Sequence, residues 1–321
     1  MRTETKPQAG EAPQRLPKRR RSRRWIVVTA AIVASALALY AYMLGPQTVS
    51  FLTHRKGAPT RTWAVAPFPP GHTPDLRIAV AGDIGESEEA VWQTAWAVNE
   101  LSFQDSPYDA LLLLGDNVYP SGDPARLPNT VFRPFDRLLD DGVALDAIVG
   151  NHDVTRADEQ MAIMGMTGRW WAQHLPGDVL LIGLDSNAVD DPDQSAFLET
   201  TLRTATERWR IVAIHESPYS AGYQGSNLTV RERFVPLFER YGVQLVLSGH
   251  DHDYQRSEPI GGVTYVVSGA GGRTRGTGEE TFTAASWSVL HYTDVDVFPD
   301  HLLVRGIDQD ARAFDEVEIP A

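Results

Sequence analysis

The chain reads as an α/β protein, and three features of its 321 residues predict that class. From Leu76 onward, short apolar runs alternate with amphipathic stretches of helical period. Several of those runs are continuously apolar, as expected of strands covered on both faces. The glycines and ionisable residues collect where the runs stop, and ligands bind beyond the carboxyl ends of the strands in open α/β sheets.

Ahead of that body lie three segments of different character. Residues 1–24 hold nine Lys and Arg against Glu4 and Glu11, a head of +7, which leaves −20 for the rest of a chain whose net charge is −13. Their Pro, Glu, Gln and Lys content predicts disorder. Residues 25–44, WIVVTAAIVASALALYAYML, carry no charge and no proline. As a helix they span the roughly 30 Å hydrocarbon layer. Trp25, Tyr40 and Tyr42 sit near the ends, where amphipathic rings favour the interface. KRRRSRR (18–24) precedes the stretch, and the positive-inside bias assigns that flank to the cytoplasm and the body to the far side.

The expected form is a single-pass membrane protein with an extracytoplasmic body. The alternative is a secreted protein after signal cleavage, because Ala36-Leu37-Ala38 offers a small-x-small site and SRRWIVV (22–28) resembles a twin-arginine export signal. Residues 45–75, with Gly45-Pro46, Pro59, Pro67, Pro69-Pro70-Gly71 and Pro74, read as a linker. With no cysteine the chain has neither disulfides nor thiolate ligands.

In the body, strands are expected at 77–82, 108–115, 145–150, 179–186, 210–215 and 243–249. Helices are expected at about 87–99, 193–207 and 230–241, and the last sixty residues turn to strands with little room for helices. Five strand ends carry candidate ligands: Asp83, Asp116, Asn151, His215, and the pair His250 and His252. His215 ends a Val/Ile/Ala run, where an imidazole without a partner is costly. Neutral imidazoles with several carboxylates suit zinc, iron or manganese. Two sets of ligands are too many for one ion, whereas a bridging Asp lets two ions share them and clamp a phosphoryl centre.

The acidic body argues against nucleic acid as a partner, and no obligate protein partner is expected. GAGGRTRG (269–276) lacks the dinucleotide fingerprint spacing, and no G-x-S-x-G elbow is present.

The blocks GDIG (82–85), GDNVY (115–119), GNHD (150–153), VAIH (212–215) and GHDH (249–252) occur in that order after apolar strands. In them the chain resembles the calcineurin-like metallophosphoesterases over roughly residues 76–308. It looks most like the purple acid phosphatase branch, because Gly85 stands where the wider superfamily has a histidine and the second block ends in Tyr119. The resemblance implies a four-layer α/β/β/α sandwich with mixed sheets over residues 76–321. It implies Fe(III) held by Asp83, Asp116, Tyr119 and His252. A second divalent metal (Fe, Zn or Mn) would be held by Asp116, Asn151, His215 and His250, with Asp116 bridging. A metal-activated hydroxide would attack the phosphorus of a small phosphorylated substrate, with His152 as electrostatic stabiliser and general acid.

Asp153 either orients His152 or caps its loop. The family often has further substrate-contacting histidines after VAIH, but residues 215–227 contain none beyond His215, which leaves Tyr219, Tyr223, Gln224 and Asn227 as candidate donors. Arg273, with Arg275, is a candidate for the pocket rim. An acid-phosphatase-like monoesterase is the leading expectation; a phosphodiesterase or nucleotidase on the same ions and a silent metal-binding scaffold are the alternatives.

Overall fold

The computed structural model describes residues 33–35, 55–104 and 106–321. The expected transmembrane helix at 25–44 therefore lies outside the described residues except for 33–35, which are helical. Among the described residues no helix is long and apolar enough to cross a membrane. The chain divides into two units, Met1–Gly45 and Pro46–Ala321. The second is the body.

The body contains two seven-stranded mixed sheets. The first is built on β2 (Leu76–Ala81), β3 (Ala110–Leu113) and β4 (Ala144–Ala147), which run parallel. It continues antiparallel through β12 (His291–Val297), β13 (His301–Asp308) and β14 (Arg312–Pro320) to β1 (Trp63–Ala64). The second is built on β6 (Val179–Leu184), β7 (Trp209–Ile214), β8 (Leu245–Ser248) and β10 (Thr264–Ser268), also parallel. Antiparallel β5 (Trp171–Leu175) closes one edge, and β9 (Tyr254–Ser257) with β11 (Thr283–Trp287) the other.

Side-chain alternation sorts these strands into four layers. In β2, Ile78 and Val80 join a core shared by both sheets, whereas Ala79 and Ala81 join the core beneath the helices. In β7, Trp209, Ile211 and Ala213 face the shared core, and Val212 and Ile214 face a third core on the opposite side. A strand buried on both faces is apolar at most of its positions, which is why these runs are legible. Each fully buried Val, Leu or Ile side chain contributes about 1.5–3 kcal/mol.

Helix α1 (Glu88–Gln104) covers the first sheet with Val91, Ala95 and Val98, at helical spacing. Ser87 Oγ accepts the Ala90 N–H at 3.3 Å at its start. The short helices α2 (Asp136–Asp140) and α3 (Ala157–Ile163) lie in the same half of the chain. On the second sheet, α4 (Pro192–Thr204) contributes Leu198 and Leu202, and α5 (Leu228–Arg240) contributes Val230, Phe234 and Phe238.

The residues read as a linker are tied to the body from position 55 on. Trp63 and Ala64 pair with Ala313 and Arg312, and Lys56 bridges Thr277. Strands β9 and β5 escape the hydrophobic pattern for a different reason: YQRS and WAQHL are polar sequences whose groups are satisfied by partners far along the chain. Arg256 Nε, for instance, donates to Asp315 at 2.7 Å.

At the start of β12, His291 is fully buried between Tyr254 and Phe314, its Nε2 3.2 Å from Ser268 Oγ and its Nδ1 donating to the Val289 carbonyl at 2.9 Å. Burial pushes its pKa down to about 4, against the opposing carbonyl contact. The folded value lies below the ordinary one of about 6.5, so the unfolded chain takes up a proton that the fold refuses. Stability is therefore lost as pH falls from about 6.5 to about 4, at up to about 1.4 kcal/mol per pH unit. Urea unfolding at pH 7 and pH 4.5 should show a smaller drop for His291→Gln than for the parent; equal drops would mean that His291 is not the group responsible.

Candidate metal centre

Five turns follow the carboxyl ends of β2, β3, β4, β7 and β8, and they meet where the two sheets adjoin. Hydrogen bonds across the join fix the meeting. His250 N–H donates to Asp83 Oδ2 at 2.8 Å, Gly82 N–H to the Ser268 carbonyl at 2.9 Å, and His215 Nδ1 to the Leu114 carbonyl at 2.8 Å.

The backbone there is held in uncommon conformations. Asp83, Asp116 and His250 have φ of 56°, 52° and 69°, three of the five non-glycine residues in the left-handed region among those described. Such positions cost free energy and persist where the surroundings over-determine them. Two glycines are required by close approach. A side chain at Gly150 would overlap the Asp116 carboxylate, and a Cβ at Gly85 would lie 2.6 Å from the Asn117 carbonyl. With this backbone, the position where the wider superfamily carries a histidine has no room for any side chain.

Asp83, Asp116 and His215 are buried, and each offers a ligand atom within 4.8 Å of the others. The Asp116 carboxylate faces two donor sets. Its Oδ2 accepts from the Tyr119 hydroxyl at 2.6 Å, and the Tyr119 hydroxyl oxygen also lies 3.1 Å from Asp83 Oδ1 and 3.1 Å from His252 Nε2. Its Oδ1 lies 3.5 Å from His215 Nε2, which is itself 3.1 Å from Asn151 Oδ1. The His250 ring packs edge-on against His215 at 5.1 Å between centroids. Because His215 Nδ1 donates to a carbonyl, Nε2 is the nitrogen that faces the cleft, and it carries the lone pair that ligation requires once the ring is neutral.

This donor set fits cations. Around Tyr119, one phenolic proton is shared among two carboxylates and an imidazole nitrogen, an excess of acceptors in a buried place. Without a cation, burial and then Asp83 and Asp116 raise the Tyr119 pKa far above its usual 10. A multivalent ion at that oxygen would reverse the effect. For Asp116, burial acts upward, but His215, the Tyr119 hydroxyl and the His152 N–H outweigh it and lower its pKa. For His215, burial acts downward, and Asp116 and Asp83 overcome it, raising the value to about 9. His250 goes down to about 3, through burial first and then the His215 charge, with Asp116 opposing.

His152 stands at the open side. Its side chain is 37% exposed, its ring lies 4.2 Å from that of Tyr119, and its Nδ1 donates to the Pro120 carbonyl at 2.7 Å. Its Nε2 lies 4.0 Å from Asp116 Oδ2.

The other ring nitrogen of His152 is taken by Pro120, so of the two roles expected of Asp153 the geometry fits the loop cap. Asp153 accepts from the backbone N–H groups of Asn117, Val118 and Gly150 at 3.1 Å each and from Gln160 Nε2 at 3.1 Å, which makes it the cap of the two loops. Three other candidates are drawn elsewhere. The Tyr219 ring packs on Tyr265 and Phe282 under Arg231. Asn227 caps α5, accepting from Val230 N–H at 2.9 Å. Arg273 is ion-paired with Glu86. Tyr223 is exposed and lies beneath the Arg275 guanidinium.

Asn117 and Asp251, both buried, belong to the site although neither is among the expected ligands. Asn117 Nδ2 donates to the Ile148 carbonyl at 3.1 Å, joining the loops after β3 and β4. The position of Asp251 between two candidate ligands was the available signal.

Residues 76–254 match the profile of the calcineurin-like phosphoesterase family. Among curated proteins, the chain is similar to tartrate-resistant acid phosphatase type 5 of Oryctolagus cuniculus, 27% identical over 250 residues that cover 65% of this chain and 77% of the relative. The Homo sapiens protein of that name is 30% identical over 242 residues, covering 63% and 74%. Purple acid phosphatase 21 of Arabidopsis thaliana is 26% identical, covering 65% and 52%. Among solved structures, the yellow lupin purple acid phosphatase PPD1 superposes with a TM-score of 0.65 at 17% identity, covering 79% of this chain and 55% of that one. GAP50, described as the anchor in the inner membrane complex of Plasmodium, gives 0.70 at 16% identity, covering 76% and 88%.

Proposed function

The chain belongs to the calcineurin-like phosphoesterase family, in its purple acid phosphatase-like branch, and from that premise we propose that it is a phosphomonoesterase with a dinuclear Fe(III)–M(II) centre. That it is a phosphoric ester hydrolase follows from the family and its acid phosphatase relatives. The observation that carries the finer reading is the Asp116 carboxylate, whose two oxygens face two different groups of donors.

Asp83, Asp116, Tyr119 and His252 would hold the ferric ion. Asp116, Asn151, His215 and His250 would hold a divalent Fe, Zn or Mn. When bound, the pair supplies Lewis acidity and a strong nucleophile near neutral pH. The chain's own part is to position and to move protons. His152, with Nδ1 fixed on Pro120, presents Nε2–H to the phosphoryl group and delivers that proton to the departing ester oxygen as the P–O bond breaks. Asp153 keeps the two loops that carry Asp116, Tyr119 and His152 at fixed separation.

Tyr119→Phe tests the iron assignment. Metal-loaded parent protein is expected to show a visible tyrosinate-to-iron band, and the variant to lose it. A colourless parent with two metals bound and full turnover would refute the ferric site while leaving the hydrolase intact.

The basic head and the apolar stretch at 25–44 support a membrane-tethered enzyme whose body faces outward. Alkaline carbonate extraction of membranes should leave it in the pellet; recovery in the medium as a shortened chain would favour export with cleavage.

A further inference from the structure

The GHDH turn carries more than two ligands: the rim of the cleft hangs from it. Asp251, between His250 and His252, is buried and holds the loop after β7. It accepts from Ser220 Oγ and, at 2.7 Å, from the Gln224 N–H, and Gly222 lies so close against its carboxylate that no side chain would fit there. The next residue holds a second loop, since the His252 carbonyl accepts the Arg275 N–H at 2.6 Å. That second loop is fastened further by Ser288 Oγ, which donates to the Arg275 carbonyl at 2.6 Å, and by the Lys56 N–H, which donates to the Thr277 carbonyl at 2.8 Å. Tyr223 from the first loop and Arg275 from the second meet above the turn, the guanidinium carbon 5.5 Å from the ring centroid.

The two rim arginines differ in charge balance. Arg273 is neutralised by Glu86. Arg275, among the described residues, has no carboxylate within 4.0 Å of its nitrogens, although the chain carries a net charge of −13. A fixed, half-exposed and unneutralised guanidinium beside the ligands of a phosphoryl site has the geometry of an anion receptor, because its planar fork matches phosphate oxygens.

We propose that Arg275, steadied by the Tyr223 ring, binds a non-bridging phosphoryl oxygen of the substrate and supplies the cation absent from residues 215–227. This rests on the phosphoesterase reading of the site and adds a class preference. A monoester dianion, with more charge on its free oxygens, gains more from Arg275 than a diester does.

The test uses metal-loaded full-length protein, with inorganic phosphate binding followed by calorimetry and with p-nitrophenyl phosphate and bis(p-nitrophenyl) phosphate as esters. Arg275→Ala is expected to weaken phosphate binding and raise the monoester KM by about 10- to 100-fold, the loss of one charge-assisted hydrogen bond. The diester KM should move less, metal content should stay at parental stoichiometry, and Arg275→Lys should recover part of the loss. Tyr223→Ala should raise the monoester KM a few-fold. Unchanged phosphate affinity in Arg275→Ala would overturn the proposal, and so would loss of metal in that variant, which would make Arg275 a brace for the turn. If the parent binds phosphate through Arg275 yet hydrolyses neither ester, the anion site stands and the hydrolase reading falls.

Discussion

Asp116→Asn should lose the bound metal pair and at least about 10³-fold in turnover while keeping the fold. The reasoning is geometric. Oδ2 of this carboxylate faces Tyr119, and through it Asp83 and His252; Oδ1 faces His215 and Asn151. An amide keeps the shape but replaces one of these oxygens with a donor and removes the charge, so one donor set loses its shared anion. Asp116 is also the main group opposing burial at His215, whose cationic form therefore weakens in the variant. Metal analysis with kcat measurement decides the matter, and His152→Ala is the control. That variant should fall about 10²- to 10⁴-fold in kcat with both metals retained, because the His152 ring is hydrogen-bonded to the Pro120 carbonyl and only packs beside Tyr119. Two metal equivalents and parental turnover in Asp116→Asn would remove the bridging role.

The second large effect lies away from the cleft. Arg77, Asp294, Asp296 and Arg305 form a buried ionic cluster on the first sheet, each at most 4% exposed. Arg77 Nε donates to Asp296 at 2.8 Å and Nη2 lies 3.3 Å from Asp294, while Arg305 Nη2 reaches both carboxylates at 2.6 Å. Arg77 also stacks on Tyr108 at 4.3 Å and lies 5.4 Å from Phe68 in the segment ahead of β2. Asp294 and Asp296 alternate with Val295 and Val297 of the shared core, so the carboxylates emerge on the opposite face.

Removing one member of a buried charge set leaves its partners desolvated and unmatched, which costs about 3–5 kcal/mol. Arg77→Met should lower unfolding free energy by that amount in urea. Combining it with Asp296→Leu restores charge balance and should recover part of the loss. A single-variant effect below about 1 kcal/mol would mean that the cluster is not desolvated in the way the burial implies.

Both cases bear on what a reader of the bare chain can find. The parallel strands were legible because burial on both faces makes them apolar at most positions, and the candidate ligands because each lies at or within a few residues of the end of such a run. β5 and β9 were not, since nothing local marks WAQHL or YQRS as strands. Their polar groups are satisfied by residues such as Asp146, with Gln173 Nε2 donating at 2.6 Å, or Asp315. The ionic cluster was equally silent, because Arg77 and its carboxylate partners are separated by 217 and 219 positions. Asp153 was ambiguous for a related reason: the sequence places it beside His152, but only the packed loops direct its oxygens to Asn117, Val118 and Gly150.

By itself, the order of residues determined the strand ends, the kinds of donor gathered there and the absence of a second histidine after VAIH. Those are local properties of a chain that alternates faces every residue and must place polar groups where its apolar runs stop. Tertiary structure decided which oxygen of Asp116 faces which donors, that His152 is held by Pro120, and that Arg273 is the arginine of its loop paired with Glu86. Directions and pairings of this kind depend on residues brought together from distant parts of the chain, and no local pattern encodes them.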